Sequence, residues 1–178
     1  MLNGTRKQKL SGKMKIITCL QKPEEFSDRQ VKFYTKYATV TFKTLGSPLF
    51  QRFLDWMMRR ENIEEHQVTN VQVRMFPFRR ENGKGLAGKF NKKGEILIYP
   101  KRLEFCRKLV QDFEKEAVYF YIKARAMATL IHELLHVRYS SNEQRVRQLT
   151  RKYFSIFAQS QNTRNTNTDR ILKLMFLQ

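Results

Sequence analysis

The apolar positions of this chain follow two periodicities, one typical of amphipathic helices and one typical of half-buried strands. In several long segments, apolar residues recur every three or four positions, as they do on one face of a helix. In a shorter central region, apolar and polar residues alternate, which indicates strands. The pattern predicts helices over residues 28–45, 48–60, 101–113, 114–138 and from Glu143 to about Phe157, and strands over 68–78, 86–91 and 95–99.

Local signals set the ends of several of these elements. Ser27-Asp-Arg-Gln30 has the form of a capping box, and Gly46 is a typical residue at the end of a helix. Pro48 suits the first position of a second helix. The stretch Asn91–Gly94 predicts a hairpin turn between two strands. We therefore predict an α+β domain with two N-terminal helices, a small antiparallel or mixed three-stranded sheet, and a C-terminal helix.

The predicted helix over 114–138 contains neither glycine nor proline and carries the sequence His132-Glu133-Leu134-Leu135-His136. Positions i and i+4 share one face of a helix, so His132 and His136 can direct two imidazoles at one metal ion. Glu133 lies one step around the helix, where it can act as a general base without ligating the metal. This arrangement is typical of zinc hydrolases. The alternative is a chance match on a helix surface, which the apolar neighbours Ile131 and Leu135 make less favourable.

A catalytic zinc needs a third protein ligand, and the best candidate is Glu143. A turn over residues 139–142, followed by a helix that crosses the first, would bring Glu143 back over the metal. Ser140 and Glu143 also have the spacing of a capping box, in which Glu143 would only close a helix N-terminus. Both roles remain open from the sequence. The remaining histidine, His66, lies in a charged stretch and is expected to be exposed.

The stretch Ile-His-Glu-Leu-Leu-His, followed closely by Glu-x-x-Val-x-x-Leu-Thr, resembles small zincin metallopeptidases. The nearest are minimal gluzincin-like domains of the ImmA/IrrE and SprT-like kinds. The resemblance spans roughly residues 71–157, and H-E-x-x-H is its one specific motif. It implies a zincin-like fold with Zn²⁺ held by His132, His136 and Glu143, and Glu133 as general base. The gap before Glu143 is shorter than these families usually show, and no histidine follows His136, so the SprT-like ligand pattern is not met.

The resemblance implies a zinc-dependent peptidase that hydrolyses peptide bonds through a metal-activated water. A transition-state donor is then expected on the cleft rim, and Tyr139, Arg138 and Tyr153 are candidates by their proximity in sequence. In zincins a strand facing the cleft binds the extended substrate, which suggests strand addition at 86–91 or 95–99. Gly88 would allow another backbone to approach closely, and a β-bulge is the alternative explanation for it.

The charge of the chain adds a second prediction about partners. The sequence holds 35 lysines and arginines against 16 acidic residues, a formal net charge of +19. Such an excess favours anionic partners, most often nucleic acid, although a solvated basic surface gives the same composition. The peptidase would then act on or near nucleic-acid-bound proteins. The alternative function is a basic nucleic-acid-binding protein with a structural or vestigial metal site.

Trp56 would mark a binding surface or extend an apolar helix face, and we predict core packing.

The remaining features concern domain organisation and compartment. We predict a flexible basic arm over 1–13, one domain over 14–158, and a polar linker with a short apolar segment over 159–178, which would dock on the core, contact a partner or enter the cleft. The two cysteines are far apart in sequence, which favours neither a disulfide framework nor a structural zinc cluster. A membrane helix needs about 20 apolar residues, and no run approaches this length. These features predict a soluble, cytoplasmic protein of unknown oligomeric state.

Overall fold

The computed structural model describes residues 7–9, 15–19, 26–78, 85–113, 115–161 and 173, with the backbone alone at 7–9 and 115. These residues form an α+β arrangement of five strands, five α-helices and one turn of 3-10 helix. The strands are β1 (Lys7–Lys9), β2 (Lys15–Cys19), β3 (Asn70–Arg74), β4 (Gly88–Phe90) and β5 (Glu95–Ile98), and the helices are α1 (Asp28–Leu45), α2 (Pro48–Arg60), α3 (Leu103–Asp112), α4 (Lys115–Tyr139) and α5 (Glu143–Ser160), with the 3-10 turn at Glu65–Gln67.

The strands form one mixed sheet in the order β1-β2-β3-β5-β4. The central strands β2, β3 and β5 are parallel, and the outer strands β1 and β4 pair antiparallel to their neighbours. The prediction of three strands is wrong, because β2 and the short β1 extend the sheet. In addition, β1 lies within the predicted arm 1–13, whose other residues are outside the described part of the chain.

One face of the sheet holds the core. Alternating residues such as Ile16, Val71 and Ile96 are fully buried, because α1 and α4 cover this face. The residues between them, among them Gln72 and Glu95, lie on the opposite face and bond to each other at 3.0 Å between Nε2 and Oε1. The period-two pattern that predicted β3 and β5 therefore reflects a sheet covered by helices on one side.

Helix α4 runs through the centre of the fold and packs against α1, α3, α5 and the sheet. Leu130, Ile131, Leu134 and Leu135 are all fully buried, although they point in different directions around the helix axis. A helix that is apolar on most sides is a core helix, as the sequence predicted. This burial fixes the orientation of α4, and with it the direction of every polar side chain that the helix carries.

The two N-terminal helices have the predicted boundaries. Ser27 caps α1 in a capping box with Gln30, and Pro48 occupies the first turn of α2. The core-packing prediction for Trp56 is only partly right, because its ring contacts Phe53 and Tyr153 but remains 37% exposed. None of the described helices is both long and apolar enough to cross a membrane. The predicted C-terminal segment 159–178 lies outside the described residues except for 159–161, which end α5 and follow it, and 173.

Candidate metal centre

The three predicted metal ligands lie together at the junction of α4 and α5. One turn of α4 separates the two histidines, and their Nε2 atoms are 3.1 Å apart. Glu143, the first residue of α5, places Oε2 3.2 Å from Nε2 of His136 and Oε1 3.7 Å from Nε2 of His132. His132, His136 and Glu143 thus form a cluster whose candidate ligand atoms all lie within 4.8 Å of one another.

The spacing of these atoms fits a zinc ion. Zinc bonds of about 2.0–2.1 Å in a tetrahedron require ligand atoms roughly 3.3 Å apart. The observed separations of 3.1, 3.2 and 3.7 Å bracket that distance. Two histidines and one glutamate also form a known ligand set of catalytic zinc, which leaves a fourth position for water or substrate. The arrangement is compatible with a metal and is not by itself diagnostic of one.

Glu143 is not used as a helix cap. The N-cap of α5 is Asn142, whose side chain accepts a hydrogen bond from the backbone N–H of Arg145 at 3.0 Å. The alternative in which Ser140 and Glu143 form a capping box is therefore wrong. The carboxylate of Glu143 turns to the histidines and also accepts a hydrogen bond from Nε of Arg147 at 2.7 Å.

The backbone after α4 orients His136. Ser140 has a left-handed conformation, with φ at 45°, and its carbonyl oxygen lies 2.5 Å from Nδ1 of His136. A carbonyl only accepts, so Nδ1 of His136 carries the proton and donates it. In the neutral ring, Nε2 then presents a lone pair toward Glu143, which is the tautomer that binds a metal through Nε2.

Thr150 on α5 plays the same part for His132. Its hydroxyl donates to the carbonyl of Val146 at 2.8 Å, and its oxygen lies 3.3 Å from Nδ1 of His132. Because the hydroxyl proton is already used, the oxygen accepts from Nδ1, and Nε2 is again left with a lone pair. The two Nε2 lone pairs would repel each other at their close separation unless a cation lies between them. We did not identify Thr150 from the sequence, where its signal is a polar residue among the buried positions of α5.

Electrostatics keep the cluster in the form that binds metals. Burial, together with the nearby His136, lowers the pKa of His132 to about 4. Burial alone would raise the pKa of the Glu143 carboxyl, but the hydrogen bond from Arg147 and the nearby His132 hold it below its usual value. At neutral pH, His132 is therefore neutral and Glu143 is ionised, as ligation requires.

Glu133 lies beside the ligands and is held by strand β4. Its side chain is buried, and Oε2 accepts a hydrogen bond from the backbone N–H of Phe90 at 2.9 Å. A Cβ atom at Gly88 would lie 2.8 Å from Oε1 of Glu133 and 2.6 Å from Cγ2 of Thr129. The prediction that Gly88 admits another backbone is therefore wrong within the described fold: the close neighbours are side chains of α4.

A cleft of about 850 Å³ runs between β4 and the α4–α5 junction and includes the ligands and Glu133. Leu86, Phe90 and Val137 supply apolar lining, and Lys89 and Arg147 supply cationic groups. Strand β4 is the sheet edge on this side, whereas β5 lies between β3 and β4. Of the two strands predicted to pair with a substrate, β5 is therefore unsuitable, because both of its edges are occupied.

The three predicted transition-state donors are not in this cleft. Tyr139 donates its hydroxyl to Oε2 of Glu61 at 2.6 Å, and the buried Tyr153 donates to the other oxygen of the same carboxylate. Neither residue, nor Arg138, belongs to the described lining of the cleft. The cationic side chain that does line it near the ligands is Arg147, which was missed because sequence proximity to the motif does not show which way a helix faces.

The remaining histidine, His66, belongs neither to this cluster nor to the described lining of the cleft. His66 is 77% exposed and pairs with the exposed Glu64 at 3.0 Å, as its charged surroundings predicted.

Comparison of the chain with models of known protein families, with curated proteins and with solved structures finds no match.

Proposed function

We propose that this protein is a zinc-dependent peptidase with a zincin-like active site. The observation that carries the proposal is the convergence of His132, His136 and Glu143 beside the buried carboxylate of Glu133, in a cleft bounded by a sheet edge. A chance H-E-x-x-H sequence on a helix surface would not explain this convergence. Such a sequence needs neither hydrogen-bonded Nδ1 atoms on its histidines nor a third ligand from another helix.

Each residue around the site would have a separate role in the reaction. Zinc, when bound, would polarise a substrate carbonyl and lower the pKa of a coordinated water. Glu133 accepts a proton from the attacking water and returns it to the leaving amine, and the Phe90 N–H holds its carboxylate in place. Arg147 keeps Glu143 ionised and adds positive charge where negative charge develops in the transition state.

The edge strand β4 supports an extended peptide as the substrate. An open strand edge offers backbone hydrogen bonds to an added strand, and the neighbouring side chains then select residues by size and charge. On this edge the Leu86 N–H already donates to the Phe78 carbonyl and the Phe90 N–H to Glu133, so an added peptide would pair with the backbone groups between them. The apolar side chains of Leu86, Phe90 and Val137 would receive apolar substrate side chains. Because β4 and the proposed metal ligands line the same cleft, a peptide that pairs with β4 would run beside those ligands.

The experiment is cleavage of a peptide library made from a digested proteome, with products identified by mass spectrometry. We expect the zinc-loaded wild type to cut peptides, and Glu133→Gln to bind zinc normally while losing at least about 10²-fold in rate. Glu116→Gln, which changes an exposed carboxylate on the same helix, is the matched control and should cut at the wild-type rate. No cleavage by zinc-loaded wild type, or equal cleavage by Glu133→Gln, would contradict the proposal.

A second candidate function follows from the net charge of +19. A basic nucleic-acid-binding protein with a structural metal site would bind DNA or RNA in a salt-dependent manner. Its binding would survive Glu133→Gln and metal chelation, and the protein would cut no peptide. A peptidase that works on or near nucleic-acid-bound proteins would instead show both activities, with cleavage alone lost in Glu133→Gln.

A further inference from the structure

The exposed face shared by α2 and α5 combines apolar and cationic side chains. Leu49, Trp56 and Ile156 are 44%, 37% and 37% exposed there. Trp56 is the one tryptophan of the chain. Its ring rests on Phe53, at 5.5 Å between centroids, and on Tyr153, at 5.8 Å. These two ring contacts support the partly exposed indole, which we call the platform.

Cations surround this platform. The Arg60 guanidinium lies over the Trp56 ring, 5.7 Å from its centre, and Arg52 is exposed one turn before Trp56 on the same helix. On α5, Lys152 is exposed next to Tyr153, the residue that contacts the indole. Among the described residues, Arg52, Arg60 and Lys152 have no carboxylate within 4.0 Å. Their charge is therefore available to an external anion.

The charge of these two helices is one-sided. Helices α2 and α5 carry seven lysines and arginines against two carboxylates, and one of those, Glu143, belongs to the metal centre. Helix α3, in contrast, has equal numbers of cations and carboxylates. Helix α1 is equally basic, with four cations against one carboxylate, so the α2–α5 face is set apart by cations that lie beside an exposed tryptophan.

We infer that the α2–α5 face binds single-stranded nucleic acid. A base would stack on Trp56 in the place of the Arg60 guanidinium, which lies over the ring in the structure. Arg60 would then contact the phosphates together with Arg52 and Lys152. The exposed indole offers a stacking surface for a splayed base, and the three cations beside it suit the flanking phosphates. Paired bases in a duplex present no free face to such a platform. This inference is independent of the metal centre and holds whether or not the protein cuts peptides.

The single tryptophan makes the test direct, because intrinsic fluorescence reports on this surface alone. Titration with a 20-residue oligothymidylate should quench the emission, and the apparent Kd should rise with salt. The triple variant Arg52→Gln, Arg60→Gln, Lys152→Gln should bind at least 10-fold more weakly and lower the salt slope by about 2, from three phosphate contacts at roughly 0.7 each. Trp56→Phe, followed by anisotropy of a labelled oligonucleotide, should weaken binding about 3-fold or more.

The matched control is Lys32→Gln, Lys108→Gln, Lys123→Gln, which removes three exposed cations from α1, α3 and α4. It should bind like the wild type, and circular dichroism should show that both triple variants keep the native helix content. Three outcomes would overturn the inference. They are no quenching by the oligonucleotide, equal weakening in the two triple variants, and quenching by vesicles of anionic phospholipid but not by the oligonucleotide.

Discussion

Thr150 and His132 are joined across the α4–α5 interface, with Oγ1 of Thr150 3.3 Å from Nδ1 of His132. The threonine hydroxyl donates to Val146, so its oxygen accepts from the imidazole and selects the tautomer that presents Nε2 to the metal position. Helix α5 therefore contributes two residues to the proposed site. Glu143 is a candidate ligand, and Thr150 orients the ligand His132 on α4.

Replacement of Thr150 by valine should weaken zinc binding by about 10- to 100-fold, the usual effect of removing a partner of a metal-bound histidine. Valine keeps the shape of threonine but cannot accept a hydrogen bond from Nδ1. Competition with a chromophoric chelator measures the affinity. Thr150→Ser retains the acceptor and serves as the control. Equal zinc affinity in Thr150→Val and wild type would show that the 3.3 Å contact has no orienting role.

Gly88→Ala should disturb the pairing of β4 with α4. The new methyl group would meet Thr129 and Glu133 at 2.6–2.8 Å, and overpacking of this kind destabilises by about 1–3 kcal/mol. Because Glu133 must also move, we expect the peptidase rate to fall in addition to the loss in the free energy of unfolding. Gly85→Ala is the control, since a methyl group at that position would meet no described atom within 4 Å beyond its chain neighbours. Thermal unfolding and cleavage rates that are the same for both variants would refute the contact.

Glu61 ties the C-terminal end of α2 to both helices of the site through Tyr139 and Tyr153. Glu61→Ala would leave the buried Tyr153 hydroxyl without its acceptor, which should destabilise the fold by about 1–3 kcal/mol. Urea denaturation measures the loss, and Glu61→Gln should recover part of it because the amide oxygen still accepts. Glu64→Ala, at a side chain that is 70% exposed, should change stability little. If Glu64→Ala lowered the free energy of unfolding as much as Glu61→Ala, the hydrogen bonds from the two tyrosines to Glu61 would not explain the loss.

Without metal, the protein should lose stability as the pH falls from 6.5 to about 4. The pKa of His132 is 6.5 in the unfolded chain and about 4 in the folded protein, chiefly because of burial. Within this window the unfolded chain binds a proton that the folded protein does not, so acid favours unfolding by about 3 kcal/mol. The lowered pKa of Glu143 acts in the same direction at the acid end.

Urea denaturation in the presence of EDTA, repeated through that pH window, tests this prediction. His132→Gln should have a flatter pH dependence than wild type, because glutamine does not titrate. His66→Gln is the control, since His66 is 77% exposed and its loss should leave the profile unchanged. A wild-type profile that is flat between the two pKa values would contradict the burial of a neutral His132.

Local signals explain which parts of the fold could be predicted. The caps at Ser27 and Pro48 act within one helical turn, and both helices start where the sequence indicates. Strand β2 was missed because Ile16 and Ile17 are adjacent, so its sequence does not alternate between apolar and polar residues, and its partner β3 is more than 50 residues away in sequence. Strand pairing of that range depends on the assembled core and leaves no pattern in the short strand itself.

At the candidate site, too, the local features could be predicted from the sequence and the long-range contacts could not. The two histidines and Glu133 follow from helical spacing, and Glu143 follows from a short turn. The support from Thr150 depends on how α5 packs against α4, which the sequence does not specify. Tyr139 was assigned to the cleft because it is close to the motif, yet it bonds to Glu61, which is 78 residues away in sequence.

The most direct test of the proposed metal centre is the zinc content of the purified protein by elemental mass spectrometry, in wild type, His132→Ala, Glu143→Ala and the control His66→Ala. We predict about one zinc per chain in wild type and in His66→Ala, none in His132→Ala, and a reduced amount in Glu143→Ala. A wild type that holds no zinc after incubation with the metal, or a His132→Ala variant that keeps it, would contradict the site.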